Sequence, residues 1–199
     1  MIKAGITGGI GSGKTTFCKE WEKLGAFVLY ADDFAKQLMQ EDQELQEKIK
    51  QVFGEQSYDS DGNLNRSFLA REAFQKGRVE ELNSLVHPVL WKRADDLAKK
   101  KELDGVEVFA KEAAILLSNG RPEDLDYVII VTADEEVRME RTSERDHATG
   151  QEIRDRMAQQ PDFESLAHLA DFVVLNSGSK DELREKAGQI LKEIKSVTD

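Results

Sequence analysis

Gly8-Gly9-Ile10-Gly11-Ser12-Gly13-Lys14-Thr15 fits the pattern G-x-x-x-x-G-K-[ST], a loop that cradles phosphate groups. The chemistry asks for these residue types for separate reasons. Glycines let the backbone turn sharply and bring its N–H groups against phosphate oxygens, where a β-carbon would collide. Lys14 then reaches the β- and γ-phosphates, and the Thr15 hydroxyl is placed to hold Mg²⁺. With Thr16 they open a helix whose positive dipole end points at the same anion.

The flanking sequence supplies the context this loop needs. Ile2-Lys3-Ala4-Gly5-Ile6-Thr7 reads as a buried strand, and Phe17, Trp21 and Leu24 recur at helical spacing after Thr15. The spacing predicts strand, loop and helix in that order.

The chain has 199 residues, which suits one domain with room for a lid or insert. A net charge of −11 argues against nucleic acid as a partner, because phosphate backbones are bound by surfaces rich in Lys and Arg. No apolar run approaches the roughly 18 residues of a membrane span, and the N-terminus leads straight into a strand. These features point to a cytoplasmic protein with no membrane partner. Cys18 is the only cysteine, which rules out an intramolecular disulfide. It falls on the helix after the loop and is expected in the core.

Further along, Gly25 closes the first helix and Ala26-Phe27-Val28-Leu29-Tyr30 reads as a second buried strand. Asp32 and Asp33 follow its carboxyl end, where open parallel sheets place their ligands. Asp32 is read as the functional carboxylate and Asp33 as a helix cap. From Glu41 to Leu103 the pattern is helical, with Leu45, Ile49, Val52 and Phe53 on one face and Gly54 as a stop. A second helical run carries Phe68, Leu69, Ala73 and Phe74, and a third is interrupted at His87-Pro88. His87 is open to two readings, a kink before proline or a substrate contact. Strand character returns at Val106 to Ala110, with Glu112 just beyond, and is strongest at Tyr127 to Val131. Phe172 to Leu175 makes a fifth strand and is read as buried. Leu183, Ala187, Ile190, Leu191 and Ile194 give a last amphipathic helix.

No lysine occurs between Lys111 and Lys180, yet Arg121, Arg138, Arg141, Arg145, Arg154 and Arg156 fall in that stretch. Arg138, Arg141 and Arg145 are spaced to share one helix face. Two readings compete. Glu140, Glu144 and Asp146 could lace an exposed helix with ion pairs, or the guanidinium forks could close as a lid over a transferring phosphoryl group. The second is preferred for at least one of the candidate catalytic pair Arg141 and Arg145, and Arg138 is open to serving the nucleotide or only the surface. Motifs of other nucleotide-binding classes are missing: no Asn-Lys pair occurs, and Asp59-Ser60-Asp61-Gly62 follows no buried strand.

The ordered set Thr7 to Thr16, Leu24-Gly25, Ala31-Asp32, Asp61 to Arg66, His87-Pro88, Arg141 to Asp146, Arg156 to Gln160, and Ala170-Asp171 through Asn176 resembles the dephospho-coenzyme A kinase family along almost the whole chain. The resemblance implies transfer of the ATP γ-phosphate to the ribose 3′-hydroxyl of dephospho-coenzyme A, with Mg²⁺. By the same resemblance Asp32 is the catalytic aspartate, and Thr7, Arg66, His87 and Gln160 touch substrate. Asn176 matches a position near the nucleotide or the acceptor. Three departures stand out: Tyr30 and Ser118 where the family has acidic residues, and Leu166 with Leu169 in place of basic ones. They leave room for a kinase of another nucleoside or cofactor, or a nucleotide-binding regulator without catalysis.

The expected fold is α/β of the P-loop NTPase type, three α/β/α layers around a five-stranded parallel sheet. The expected core is about 1–32, 105–135 and 170–199, with a helical acceptor-binding insert at about 33–104 and an Arg-rich lid at about 136–169.

Overall fold

The computed structural model describes residues 1–197. Two compact units form: Met1–Leu29 together with the chain from Lys101 onward, and Tyr30–Lys100.

The first unit is built on a parallel sheet. Its strands are β1 (Ile2–Thr7), β2 (Phe27–Tyr30), β3 (Val108–Glu112), β4 (Tyr127–Thr132) and β5 (Phe172–Leu175), in the spatial order β2-β3-β1-β4-β5. β1 pairs with β3 through Ala4↔Ala110 and with β4 through Gly5↔Val128, and β4 pairs with β5 through Ile130↔Val173, all parallel. Parallel neighbours need crossovers, and helices supply most of them. β1 lies at the centre with Ala4 and Ile6 fully buried, and β4 beside it buries Val128 to Val131.

Helix α1 (Lys14–Lys23) carries Phe17, Cys18 and Trp21 into the core against α8 (Lys180–Ser196), whose Leu183, Ala187, Leu191 and Ile194 form the facing stripe. Trp21 donates its indole N–H to the Ala187 carbonyl at 2.8 Å, so its polar edge is satisfied inside the core. Burial of a side chain such as Phe17 stabilises by about 1.5–3 kcal/mol. That fixes the helix on which the glycine-rich loop ends.

The third strand sits two residues later than its composition suggests, because Lys111 lies within it. The side chain is buried and bonds the Asp124 carboxylate at 2.7 Å, which neutralises the charge that made the position look unfit for a strand. The expectation of a buried β5 is corrected in part. β5 is the edge strand; Val174 faces the core, whereas Val173 and Leu175 are 51% and 52% exposed.

The second unit is helical. It comprises α2 (Ala31–Glu41), α3 (Gln43–Phe53), the short α4 (Arg66–Ala70), a π-helical turn at Arg71–Gln75, and α5 (Val79–Leu103) up to the unit's end at Lys100. Asp42 joins α2 to α3. Its carboxylate accepts the Leu45 N–H at 3.1 Å as a cap and the Arg93 guanidinium at 2.7 Å. Leu45, Ile49 and Phe53 fill this unit's core, and Tyr58 closes it by donating its hydroxyl to the Met39 carbonyl at 2.6 Å.

Three local expectations are corrected here. The helix does not break at His87-Pro88; α5 runs through Pro88, with Val86 and Leu90 both buried around it. Tertiary burial of the flanking residues outweighs the lost backbone hydrogen bond. Phe74 is 74% exposed, since the π-helical turn shifts its direction away from that of Leu69 and Ala73. Asp33 does not cap α2. The cap position is Tyr30, and Asp33 instead pairs with Lys36 at 2.7 Å.

Candidate active site

The glycine-rich loop leaves β1 at Thr7 and enters α1 at Lys14. Gly8 must be glycine. Its φ is +148°, and a β-carbon there would lie 1.9 Å from the Val131 carbonyl oxygen of β4. The loop is thereby pressed against the end of the central sheet. Ser12 N–H donates to the Gly9 carbonyl at 3.2 Å, closing the turn.

Lys14 lies across this loop. Its ammonium donates to the Gly8 carbonyl at 2.7 Å and to the Gly9 carbonyl at 3.3 Å. Helix α1 has Gly13 at its N-cap position, with no side-chain cap and no acidic residue in its first turn. α3, α4, α7 (Gly150–Ala158) and α8 carry side-chain caps, from Asp42, Asn65, Thr149 and Ser179, and where α2 and α6 (Glu135–Asp146) lack one, acidic residues stand in the first turn instead. The uncapped first turn leaves backbone donors and the positive dipole end for an anion. Thr15, the second residue of α1, is exposed. Among the described residues no three His, Cys, Asp or Glu side chains gather into a metal-binding cluster. A divalent ion at such a loop is held by the threonine hydroxyl, water and substrate phosphates, and Thr15 fits that role.

Cys18 sits on the buried face of α1. Burial pushes its thiol far up, the carboxylates of Glu112 and Glu22 add to the effect, and Lys14 opposes it. The thiol is therefore kept in its neutral form.

The arginine segment forms two helices, α6 (Glu135–Asp146) and α7 (Gly150–Ala158). His147 ends α6 in the left-handed region, and Thr149 with Glu152 forms a reciprocal cap on α7. The three arginines of α6 have different partners. Arg138 donates Nε to the Ile10 carbonyl at 2.9 Å, so it lies on the glycine-rich loop; burial lowers its pKa, against the pull of Glu135. Arg141 donates to the carbonyls of Asn176 at 2.8 Å and Gly178 at 3.1 Å. Arg145 makes a two-point pair with Asp146, whose carboxylate also accepts from Arg156 at 3.0 Å. Those arginines hold the Asp146 carboxyl below its ordinary range, Arg145 foremost.

Two further groups reach the loop. Gln160 accepts the Ile10 N–H through Oε1 at 2.8 Å, and Asn176 donates Nδ2 to the Ser12 carbonyl at 2.8 Å in a buried bond. Of the residues singled out in the sequence, Gly8 to Thr16 and Gln160 thus form one bonded cluster, with Arg141 joined to it through Asn176. Thr7 is buried at the loop's entrance with its hydroxyl 3.4 Å from the Ala114 carbonyl. The sequence leaves Arg138 open between a nucleotide contact and a surface role. Its helical spacing matched that of Arg141 and Arg145, and nothing local says which of the three meets Ile10.

A cavity of about 840 Å³ adjoins this cluster. Arg138 and Gln160 line it, together with Ile130 of β4, Val173 and Leu175 of β5, and Phe163 after α7.

In the second unit, Asp32 is the second residue of α2, which follows β2 without a break. It is exposed and makes no hydrogen bond or ion pair among the described residues, unlike Asp33. Arg66 opens α4 on the surface, and His87 is half-buried within α5.

Comparison with known proteins gives one answer. A family model described as dephospho-CoA kinase matches residues 2–182. The chain is 41% identical to a dephospho-CoA kinase of Salinibacter ruber over 192 residues, 96% of each chain. It is 40% identical to one of Chlorobium luteolum, covering 94% of this chain and 87% of the other. Among solved structures it resembles TT1252 from Thermus thermophilus, with a TM-score of 0.76, 29% identity and coverage of 96% and 97%. The dephospho-CoA kinase from Campylobacter jejuni gives a TM-score of 0.70, 26% identity and coverage of 99% and 98%.

Proposed function

The chain belongs to the dephospho-CoA kinase family, enzymes that use ATP to phosphorylate dephospho-CoA to coenzyme A, and from that premise we propose how its residues divide the work. The acceptor group is the ribose 3′-hydroxyl. The observation that carries this reading is the pairing of Lys14, folded over the loop carbonyls, with the uncapped start of α1.

In this reading the loop amides and Lys14 bind the β- and γ-phosphates and spread the charge that builds up during in-line transfer. Thr15 and the phosphates would hold Mg²⁺, which when bound would supply further charge neutralisation. Asp32 orients the attacking hydroxyl and accepts its proton. A carboxylate with no partner of its own suits that task; Asp33, tied to Lys36, does not. The helical unit, with Arg66 and His87, receives the acceptor, and residues 136–169 serve as the lid.

Arg145 reaches the phosphoryl group by exchanging Asp146 for a phosphate oxygen. Arg145 is 59% exposed and the Asp146 carboxylate keeps Arg156 when Arg145 leaves, and exposed pairs are worth only about 0–1 kcal/mol. The exchange therefore has a low cost. Arg141 keeps the chain after β5 in place beside the nucleotide. The single buried cysteine suits a reducing, cytoplasmic setting.

The test is ADP release with ATP and Mg²⁺, with and without dephospho-CoA, with the product identified by mass. Acceptor-dependent turnover with a gain of one phosphate supports the reading. Asp32→Asn should bind ATP as the parent does and lose about 10²–10⁴-fold in turnover; full turnover would remove Asp32 from its role.

A further inference from the structure

The backbone of Ile10 is gripped from both sides by the lid segment. Gln160, just past α7, accepts its N–H at 2.8 Å, and Arg138, in the second turn of α6, donates to its C=O at 2.9 Å. These contacts join residues 150 and 128 positions apart. The Arg138 guanidinium also lies flat on Gly9: a β-carbon there would sit 2.3 Å from Nη2 and 2.7 Å from Cζ. Lower in the loop, a β-carbon on Gly11 would meet the Arg138 backbone and the Thr142 hydroxyl. α6 and the loop are thus in direct contact over three consecutive residues, Gly9 to Gly11.

Arg138 has no carboxylate at ion-pair distance among the described residues, although Glu135 lies on the same helix. The only hydrogen bond its side chain makes among the described residues is to a loop carbonyl. A half-buried guanidinium held by a backbone carbonyl alone does not add much stability, because part of its hydration is given up for one bond. Its position is better explained by what it holds together.

We propose that Arg138 and Gln160 form a clasp on the Ile10 peptide that fixes the lid segment to the phosphate loop, making Arg138 a positioning residue for phosphoryl transfer. The inference rests on the reading of this chain as a kinase with a lid. Both side chains of the clasp also line the 840 Å³ cavity. With the clasp intact, the lid arginines and the loop move as one body and water is kept from the γ-phosphate. With it broken, the loop still binds ATP through its amides and Lys14, but the lid no longer settles on it. Water then competes with the acceptor.

The grip also depends on shape. A lysine could reach the Ile10 carbonyl but could not lie flat across Gly9, since only guanidinium is planar. Gly9→Ala would push the guanidinium aside from the opposite partner.

The experiment uses the full chain and Arg138→Ala, Arg138→Lys, Gln160→Met and Gly9→Ala, each checked for native circular dichroism. Two quantities are read: Ile10 amide hydrogen exchange, and ATP hydrolysis without acceptor as a fraction of transfer to dephospho-CoA. Gln160→Met should speed Ile10 exchange about five- to tenfold, the size expected for one lost hydrogen bond. All four variants should raise the hydrolysis fraction by a similar factor, and Arg138→Ala with Gln160→Met together should do no more than either alone. The KM for ATP in the Arg138 and Gln160 variants should stay within about twofold.

An unchanged hydrolysis fraction would overturn the clasp, and so would a rise in ATP KM in its place, which would make Arg138 a nucleotide contact. An unaltered Ile10 exchange rate in Gln160→Met would do so independently of catalysis. Absence of acceptor-dependent turnover in the parent protein would count against the kinase reading and leave the exchange measurement as the test of the clasp.

Discussion

Asn176 donates its side-chain amide to the Ser12 carbonyl at 2.8 Å, a buried bond across 164 residues that ties the strand β5 exit to the phosphate loop. Asn176 also offers its own carbonyl to Arg141. One residue therefore connects loop, sheet and lid helix. Asn176→Leu would leave the Ser12 carbonyl unpaired at a cost of about 1–3 kcal/mol. For a chain of this size each kcal/mol lowers Tm by roughly 2–4 °C. The KM for ATP should rise with it, because the Ser12–Gly13 peptide loses its anchor. Thermal melting and ATP saturation curves check both effects.

Gly8 and Gly25 both have positive φ, +148° and +91°, but their surroundings differ. A β-carbon on Gly8 meets the Val131 backbone of β4, which cannot move without disturbing the sheet, whereas nothing lies within 4 Å of one on Gly25. Gly25→Ala should cost only about 1–2 kcal/mol, from backbone conformation alone. Gly8→Ala should cost about 3 kcal/mol or more and abolish ATP binding. Urea unfolding of the two variants gives the comparison.

Asp42 links α2, α3 and α5 within the helical unit. The Arg93 guanidinium holds its carboxyl below the usual value of 3.8, helped by the Leu45 N–H. A carboxyl with a lowered folded pKa contributes stability that is complete above its unfolded pKa and is lost as pH falls through the folded one. The loss should begin as pH drops below about 4 and continue toward the lowered value. Asp42→Asn keeps a cap-forming side chain but removes the charge, so its stability should fall less steeply over that acid range. Unfolding measured at stepped pH is the check.

Cys18 is fully buried on α1, and its surroundings disfavour the thiolate. A thiol reagent at pH 8 should label the native protein only as fast as α1 opens, and at full rate in denaturant. Rapid stoichiometric labelling of the native protein would show that α1 opens readily. ATP should slow the labelling further, since α1 begins at the phosphate loop.

The parts legible in the sequence were those encoded by neighbours in the chain. The phosphate loop spans eight consecutive residues; β1 and β4 are continuous apolar runs; α8 repeats Leu183, Ala187, Leu191 and Ile194 at helical spacing. Each needs only local sterics and one buried face to be recognised. The ordered motifs along the chain carried the family resemblance in the same way.

Only the tertiary structure decided the rest, because it depends on groups far apart in sequence. Phe172 to Leu175 is as apolar as β4, and what makes it an edge strand is the order of the sheet. Lys111 enters β3 because Asp124, 13 positions away, answers its charge. α5 passes through Pro88 because Val86 and Leu90 are buried on either side. The sharpest case is the arginine helix, where spacings of three and four put three residues on one face. Folding gave Arg138 the Ile10 carbonyl, Arg141 the chain after β5, and Arg145 its neighbour Asp146. Spacing sets which face of a helix a side chain occupies, but its partner is set by what the rest of the chain brings to that face.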